Sequence, residues 1–436
     1  MKVFIGPYEI AGYYIRLHEA LRKMGIKSDY FCEFHPFNYA NLSDYDTFLG
    51  KVLFLLTKYK FIFTKFKTKF FSAKRFSKIF FNILIAFTRV LIFFYSLIKY
   101  DVFIFSFSGS ILNFLNYLDL PFLKMFRKKI ICCVFHGSEA RPRYIDFYGL
   151  DFSNTDKLLR DLRKIVEKQK KNLETIEKYS DVIIGSYLNS HFLKKKFIDF
   201  FYIGLIPPFF NNENIDDEKN DGEKLIILHS PSNPIHKGTD EIRKAMENIR
   251  KRYNNVEYIE LIGKDNKYVQ EFLKNCSFIV DQLYSDTPLA GLGTEAAVFG
   301  KPTITGGYVW DKLKSIYDEN VLAPSYLCRS EEIEKAIEEM ILNKELREDL
   351  GKKVKKFVEE NWAPQKLAEK FLQIINGNIP SYWYREPIDN YAHFAFIRED
   401  KGKELLKLYI EKFGEEALFL DDKPLLKKAF IDLAFS

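Results

Sequence analysis

The sequence predicts an α/β protein of two Rossmann-like, doubly wound domains facing a cleft, followed by a C-terminal extension. Three observations lead there. From residue 2 to residue 185, short β-branched apolar runs alternate with amphipathic helical stretches, the pattern of a parallel sheet covered on both faces. Residues 211–223 are then acidic, Asn-rich and almost devoid of apolar side chains, as a linker should be. A second strand–helix series opens at Leu225 and ends near residue 375. The expected organisation is a domain over 1–210, a linker over 211–224, a second domain over 225–375 and an extension over 376–436.

In order, residues 2–7 read as a strand, 11–24 as an amphipathic helix ending at Gly25, and 27–32 as a strand. Residues 101–107 and 129–135 are further strands, with a helix over 111–126 between them. A long charged helix over 158–179 precedes the strand 181–185. In the second half, strands are expected at 225–229, 256–262, 277–283 and 302–305. Helices are expected at 239–252, 267–276, 293–299, 331–342, 344–360 and 364–375. Two such halves leave a ligand crevice at the carboxyl ends of their strands.

The chemistry concentrates in 225–307. The run Leu225-Ile-Ile-Leu-His-Ser-Pro-Ser-Asn-Pro-Ile-His-Lys-Gly-Thr-Asp240 is strand, loop and helix, with Lys237-Gly238 at the helix start. Free backbone N–H groups and the helix dipole favour an anion there, and Gly238 admits a phosphate close to the backbone. A solvated lysine beside a capping Thr239 reads the same residues equally simply. A second element, Gly291-Leu-Gly-Thr-Glu-Ala-Ala-Val-Phe-Gly-Lys-Pro302, opens a short helix on two glycines. Glu295, expected within its first turn, could accept both hydroxyls of a ribose; a lone glutamate there can also simply complement the dipole.

Together these two segments resemble the donor site of retaining, family-4-like glycosyltransferases of the GT-B fold. The resemblance implies that Lys237 binds the diphosphate of a nucleotide sugar and assists its departure, and that Glu295 binds the ribose. It places Asn233, Gly238, Gly291, Leu292, Gly293 and Thr294 around the donor. The arginine the family often carries before its lysine is missing, and its earlier glutamate falls on Thr287, beside Asp286. Asp281 and Gln282, at the end of the strand 277–283, are the alternative lining for the sugar pocket.

In the first half, the glycine loop Gly6-Pro-Tyr-Glu-Ile-Ala-Gly12 lacks GxGxxG spacing, but resembles the family's first loop, which faces acceptor and donor phosphates. His136, after the strand 129–135, sits in a Phe-His-Gly-Ser-Glu-Ala-Arg context that resembles the family's cleft histidine. These assignments make His136 a catalytic candidate, with Gly6, Gly12 and Arg141 on the acceptor side. The implied activity is transfer of a sugar to a hydroxyl of a glycan or lipid-linked acceptor with retention. Charge stabilisation at the leaving group would do most of the work. No metal or cofactor is expected. The alternatives are a GT-B nucleotide-sugar epimerase and a non-catalytic membrane-associated assembly protein keeping the fold.

The chain's net charge is +7, yet residues 51–100 hold eleven Lys or Arg and no acid, which leaves the remainder at −4. That describes one basic surface and not a nucleic-acid binder. The five cysteines lack metal-ligand spacing and read as reduced core thiols of a cytoplasmic protein; the opening residues lack a signal-peptide pattern. Residues 79–98 are long enough to span a bilayer, but Arg89 near the centre costs about 2.5–3.5 kcal/mol. A helix buried against the sheet through Phe76, Phe80, Leu84, Phe87, Leu91, Phe94 and Ile98 fits better. The mixed Lys and Phe over 51–81 reads as a patch for an anionic membrane surface, with the protein peripheral on the inner face.

Overall fold

The structure, a computed structural model, describes residues 1–35, 40–65, 71–137, 139–207 and 224–436. Residues 211–223 of the expected linker and residues 66–70 of the basic stretch fall outside them. The described chain forms two compact units: Met1–Ala140 with Gln169–Pro208 and Pro364–Pro387, and Arg141–Lys168 with Phe209–Ala363 and Ile388–Ser436.

In the first unit, β1 (Lys2–Gly6), β2 (Lys27–Tyr30), β3 (Val102–Phe105), β4 (Lys129–Cys133), β5 (Val182–Gly185) and β6 (Phe197–Asp199) are parallel. In the second, β7 (Leu225–His229), β8 (Val256–Glu260), β9 (Phe278–Ser285), β10 (Thr303–Gly307) and β11 (Tyr326–Cys328) are parallel. A short antiparallel strand, β12 (Tyr384–Arg385), closes the edge of the first sheet beside β6. The strand orders are β2-β1-β3-β4-β5-β6-β12 and β8-β7-β9-β10-β11. Both sheets therefore reverse direction of growth between their first and third strands, and doubly wound sheets bind ligands at that reversal. The two Rossmann-like units expected from the alternation are both present.

The first sheet is cored by aromatics. Phe4 stacks on Phe31 at 4.7 Å and on Phe103 at 5.4 Å, and Ile85, Ile92 and Phe93 of the helix Phe71–Lys99 cover this cluster. Of the seven residues this helix was expected to bury, Phe80, Phe87, Leu91, Phe94 and Ile98 are exposed, Leu84 is half-buried, and the Phe76 side chain lies outside the described residues. Apolar residues surround this helix, so periodicity does not choose a face; Arg89 does. Arg89 is buried and donates through Nη2 to Ser110 O at 2.7 Å and through Nε to Ile111 O at 2.8 Å, and that turns the opposite side outward. The single helix expected over 111–126 is likewise two pieces, a 3-10 turn Asn113–Leu115 and a helix Asp119–Met125. Asn116 and Tyr117 between them adopt positive φ. Asp119 fixes the break by accepting from Ser110 Oγ at 2.7 Å and Ile111 N at 2.8 Å.

The helix Pro364–Asn376 belongs to the first unit, where Lys129 Nζ donates to Ile374 O and Ile375 O, both at 2.8 Å. The helices Glu399–Phe413 and Pro424–Phe435 belong to the second. There Tyr144 OH donates to Leu418 O at 3.0 Å, and its ring packs edge-on to Phe430. Replacing Phe103 by Ala should remove the centre of the first core and cost about 3–5 kcal/mol in a urea melt. A loss under about 1 kcal/mol would show that the aromatic cluster does not hold the sheet.

Candidate functional site

At the reversal in the second sheet, the connection after β7 differs from a plain loop running into a helix. Pro234–Lys237 form one helical turn whose N-cap is Asn233, with Oδ1 accepting from Ile235 N at 3.1 Å and His236 N at 3.3 Å. The Asn233 carbonyl oxygen is thereby committed to the backbone. Lys237 closes the turn and reaches Asp281 Oδ1 at 3.2 Å. Gly238 follows at φ 72°, and a Cβ there would lie 2.9 Å from the Leu283 side chain. Only glycine lets this turn lie so close to β9. Thr239 is not a cap: its hydroxyl bonds Nε2 of His229 at 2.9 Å, while Nδ1 of that ring donates to Val280 O at 2.8 Å. Burial pushes His229 down to about 4, so a neutral imidazole ties β7, β9 and the next helix together.

Asp281 and Gln282 lie inside β9. Residues 280 and 282 pair with 304 and 305 of β10, which leaves Asp281 as an extra, bulged residue; bulges commonly re-aim a side chain. Asp281 is buried, and its Oδ2 has no hydrogen-bond partner among the described residues. Gln282 donates to Ser285 Oγ at 2.6 Å, which steadies the turn to Thr287, whose N–H donates to the same oxygen.

Gly291–Val298 then forms the helix that carries the expected Gly291, Leu292, Gly293, Thr294 and Glu295. It starts two residues earlier than expected, so Glu295 is its fifth residue and lies past the first turn. No side chain caps this helix and its first turn has no acid, which leaves the N–H groups of residues 291–293 without an intrahelical acceptor. The helix Thr239–Arg252 differs, with Asp240 and Glu241 in its first turn. Of the two helix starts, the one at Gly291 is electrostatically open to an anion. A Cβ on Gly291 would meet nothing within 4 Å, whereas one on Gly293 would lie 2.7 Å from Leu289.

Glu295 is buried, and Asn266 Nδ2 donates to Oε1 at 3.1 Å and Oε2 at 3.0 Å. Burial, with a smaller push from the charge of Asp281, raises the carboxyl to about 7 against the opposing Asn266 bonds. Asn266 opens the helix Asn266–Asn275 just beyond β8, capped by Asp265. Sequence reasoning passed over it, although a cap signal after a strand end marks the position.

In the first unit, the loop Gly6–Gly12 holds its own anion. The buried Glu9 carboxylate accepts from Ile10 N at 2.7 Å, Ile15 N at 3.0 Å, Tyr14 N at 3.2 Å and Tyr30 OH at 2.6 Å. Burial raises it to about 7. The start of the helix Tyr13–Lys23 is thus already served by a side chain, and Gly12 is its left-handed N-cap. Gly6 is pressed against Phe31, 3.2 Å from where a Cβ would stand. His136 shares a 2.6 Å hydrogen bond with Tyr14 OH through Nε2 and packs against Phe135 and Tyr13. Burial lowers it to about 3, so the ring is neutral.

Arg141, placed on the acceptor side by the sequence, lies in the second unit. It is fully buried between Asp146, at 3.0 Å from Nη2, and Asp286, with Phe396 below its guanidinium. Asp286 is therefore held by an arginine, and the adjacent Thr287 hydroxyl points to Leu289 O. Among the described residues no group of three or more His, Cys, Asp or Glu could hold a metal ion.

No family model matches this chain, and no curated protein matches it. Among solved structures, the chain is similar to HepE of Anabaena in complex with UDP, at 10% identity and a TM-score of 0.47, covering 86% of this chain and 100% of that one. It is also similar to the UDP co-structure of MnaA from S. aureus, at 13% identity and a TM-score of 0.41, covering 90% and 99%. A third is the spinosyn rhamnosyltransferase SpnG with thymidine diphosphate, at 9% identity and a TM-score of 0.41, covering 85% and 100%. Likeness at this level says nothing about substrate.

Gly238→Ala should destabilise the second unit by about 1–3 kcal/mol, because the added carbon meets Leu283 at positive φ. Gly291→Ala should leave the melting point within about 1 °C, since its Cβ faces open space. Equal effects in thermal denaturation would show that the turn at 238 is not so tightly set.

Proposed function

We propose that this chain is a glycosyltransferase of GT-B organisation that uses a nucleotide-diphosphate sugar as donor and a hydroxyl as acceptor, with retention. The observation that carries the reading is one cluster at the reversal of the second sheet. It comprises Lys237, bonded to Asp281, the buried Glu295 carboxylate, which feels the charge of Asp281, and the uncapped start at Gly291 of the helix that carries Glu295. These three match a nucleoside diphosphate group by group: backbone N–H groups and an ammonium for the diphosphate, and a two-oxygen acceptor for the ribose hydroxyls. Asn266, which now occupies both Glu295 oxygens, would turn aside or share them when a ribose arrives.

In transfer, the bond from the anomeric carbon to the donor phosphate oxygen breaks and the diphosphate leaves with the electron pair. Lys237 and the amides at 291–293 would stabilise that charge. The acceptor hydroxyl would form the new bond on the same face and pass its proton to the departing phosphate oxygen. In the first unit, the neutral His136, held by Tyr14, would be the candidate to orient an acceptor hydroxyl. Sugar recognition would differ from that of the family resembled, because Thr287 supplies no carboxylate and Asp286 is held by Arg141.

Lys237→Ala and Glu295→Gln should each weaken nucleoside diphosphate binding about tenfold to a hundredfold in calorimetry, the worth of a charge-assisted hydrogen bond. Unchanged affinity in both contradicts the assignment. Because binding requires ionised Glu295 and its carboxyl titrates near 7, affinity should rise from about pH 6 to about pH 8, by up to about tenfold per unit below 7. Glu295→Gln should flatten that rise. Turnover of a nucleotide sugar with no acceptor present would instead indicate an epimerase.

A further inference from the structure

We infer that the first unit carries a membrane-docking face that lies on, and does not cross, an anionic lipid bilayer. It is formed by the outer side of the helix Phe71–Lys99 and by residues 114–126. Phe80, Ile83, Phe87, Leu91, Phe94 and Ile98 follow one another at spacings of three or four and make a single stripe about 27 Å long. All six are exposed; Phe87 is 61%, Phe94 59% and Ile98 88% accessible. Leucines or aromatics so open, in a row, are far from the scattered surface apolar residues of ordinary proteins.

A second exposed apolar set lies beside the helix. Phe122 packs on Phe93 at 6.1 Å, and Arg89 lies over the Phe114 ring. Through these contacts the helix adjoins a second exposed set, Phe114, Leu115, Leu118, Phe122, Met125 and Phe126. On the other flank Phe63, half exposed, stacks on Phe81 at 5.6 Å. The apolar surface thus spans three consecutive pieces of chain.

The helix segment Ser77–Lys99 is long and apolar enough to cross a membrane, but its inner side is sealed. Ile85, Ile92 and Phe93 belong to the core that contains Phe4 and Phe103, and Arg89 is bonded to the carbonyls of residues 110 and 111. A helix fixed by one side to a sheet can offer only its other side, as interfacial helices do. Charge selects the occupant. Residues 51–100 carry no acid, and among the described side chains Lys51, Lys58, Lys60 and Lys78 lie outside the core while Arg127 and Lys128 flank the second set; Lys124 there is paired with Asp181. A second copy of the chain would bring this basic rim against itself, since a twofold contact pairs like with like. Anionic headgroups attract the rim while the acyl boundary takes the stripe. The sequence pointed to 51–81 for membrane contact; this face lies mainly further on, at 80–98 and 114–126.

The test is cosedimentation of the full chain at low salt with vesicles of phosphatidylglycerol and phosphatidylcholine in equal parts, and of phosphatidylcholine alone. The expected result is binding to the anionic vesicles at least about tenfold stronger than to the neutral ones. Phe87→Ser with Phe94→Ser should lower that binding at least about tenfold, with the melting point and nucleoside diphosphate affinity unchanged. If that pair lowers the melting point, Ile98→Ser, at the most exposed position, is expected to weaken binding alone. A chain that stays in the supernatant overturns the inference, as does a folded double variant that binds equally well. A dimer in ultracentrifugation that the same substitutions dissociate, without vesicle binding, assigns the face to a second copy and also overturns it. The nucleotide site does not enter this inference, so either can fail alone.

Discussion

An aspartate pushed out of a β-strand by a one-residue bulge holds the second unit's chemistry in place. Asp281 leaves the regular pairing of β9 with β10, meets Lys237 of the turn after β7 and adds to the field that raises Glu295. A buried carboxylate needs a cation or donors near it, and here the lysine is brought by a turn that only glycine can end so close to Leu283. Strand order, bulge and turn are thus one constraint. The sheet reverses between β7 and β9, and the polar groups gather at that reversal, where doubly wound sheets bind ligands.

The two units differ in how they treat a helix start. In the first, Glu9 folds back and serves the N–H groups of residues 14 and 15 with its own oxygens. In the second, the start at Gly291 has neither cap nor acid. A helix start that is not satisfied internally is kept for water or a ligand. That contrast, and not the presence of glycines in both loops, distinguishes a site for an external anion from a structural turn.

Much of this was legible in the sequence. The runs at 225–229 and 239–252 are apolar or amphipathic enough to fix strand and helix to the residue, and the two glycines with Glu295 mark the open helix. Three things were not legible. The face of the helix Phe71–Lys99 depends on where Arg89 finds carbonyls, which are supplied by residues 110 and 111. Besides the nearby Asp146, Arg141 pairs with Asp286, 145 residues away, and no local pattern announces such a pair. Asn266 looks like an ordinary residue after a cap until the fold sets it against Glu295. Local periodicity writes elements; distant polar partners are decided by packing.

The most direct test of the account is a crystal structure of the chain grown with a nucleoside diphosphate. The account predicts the diphosphate on the backbone N–H groups of Gly291, Leu292 and Gly293 beside Lys237, and the ribose hydroxyls on the Glu295 carboxylate in place of Asn266. A nucleotide bound elsewhere, or a Glu295 still held by Asn266 with the start at Gly291 bare, would contradict it.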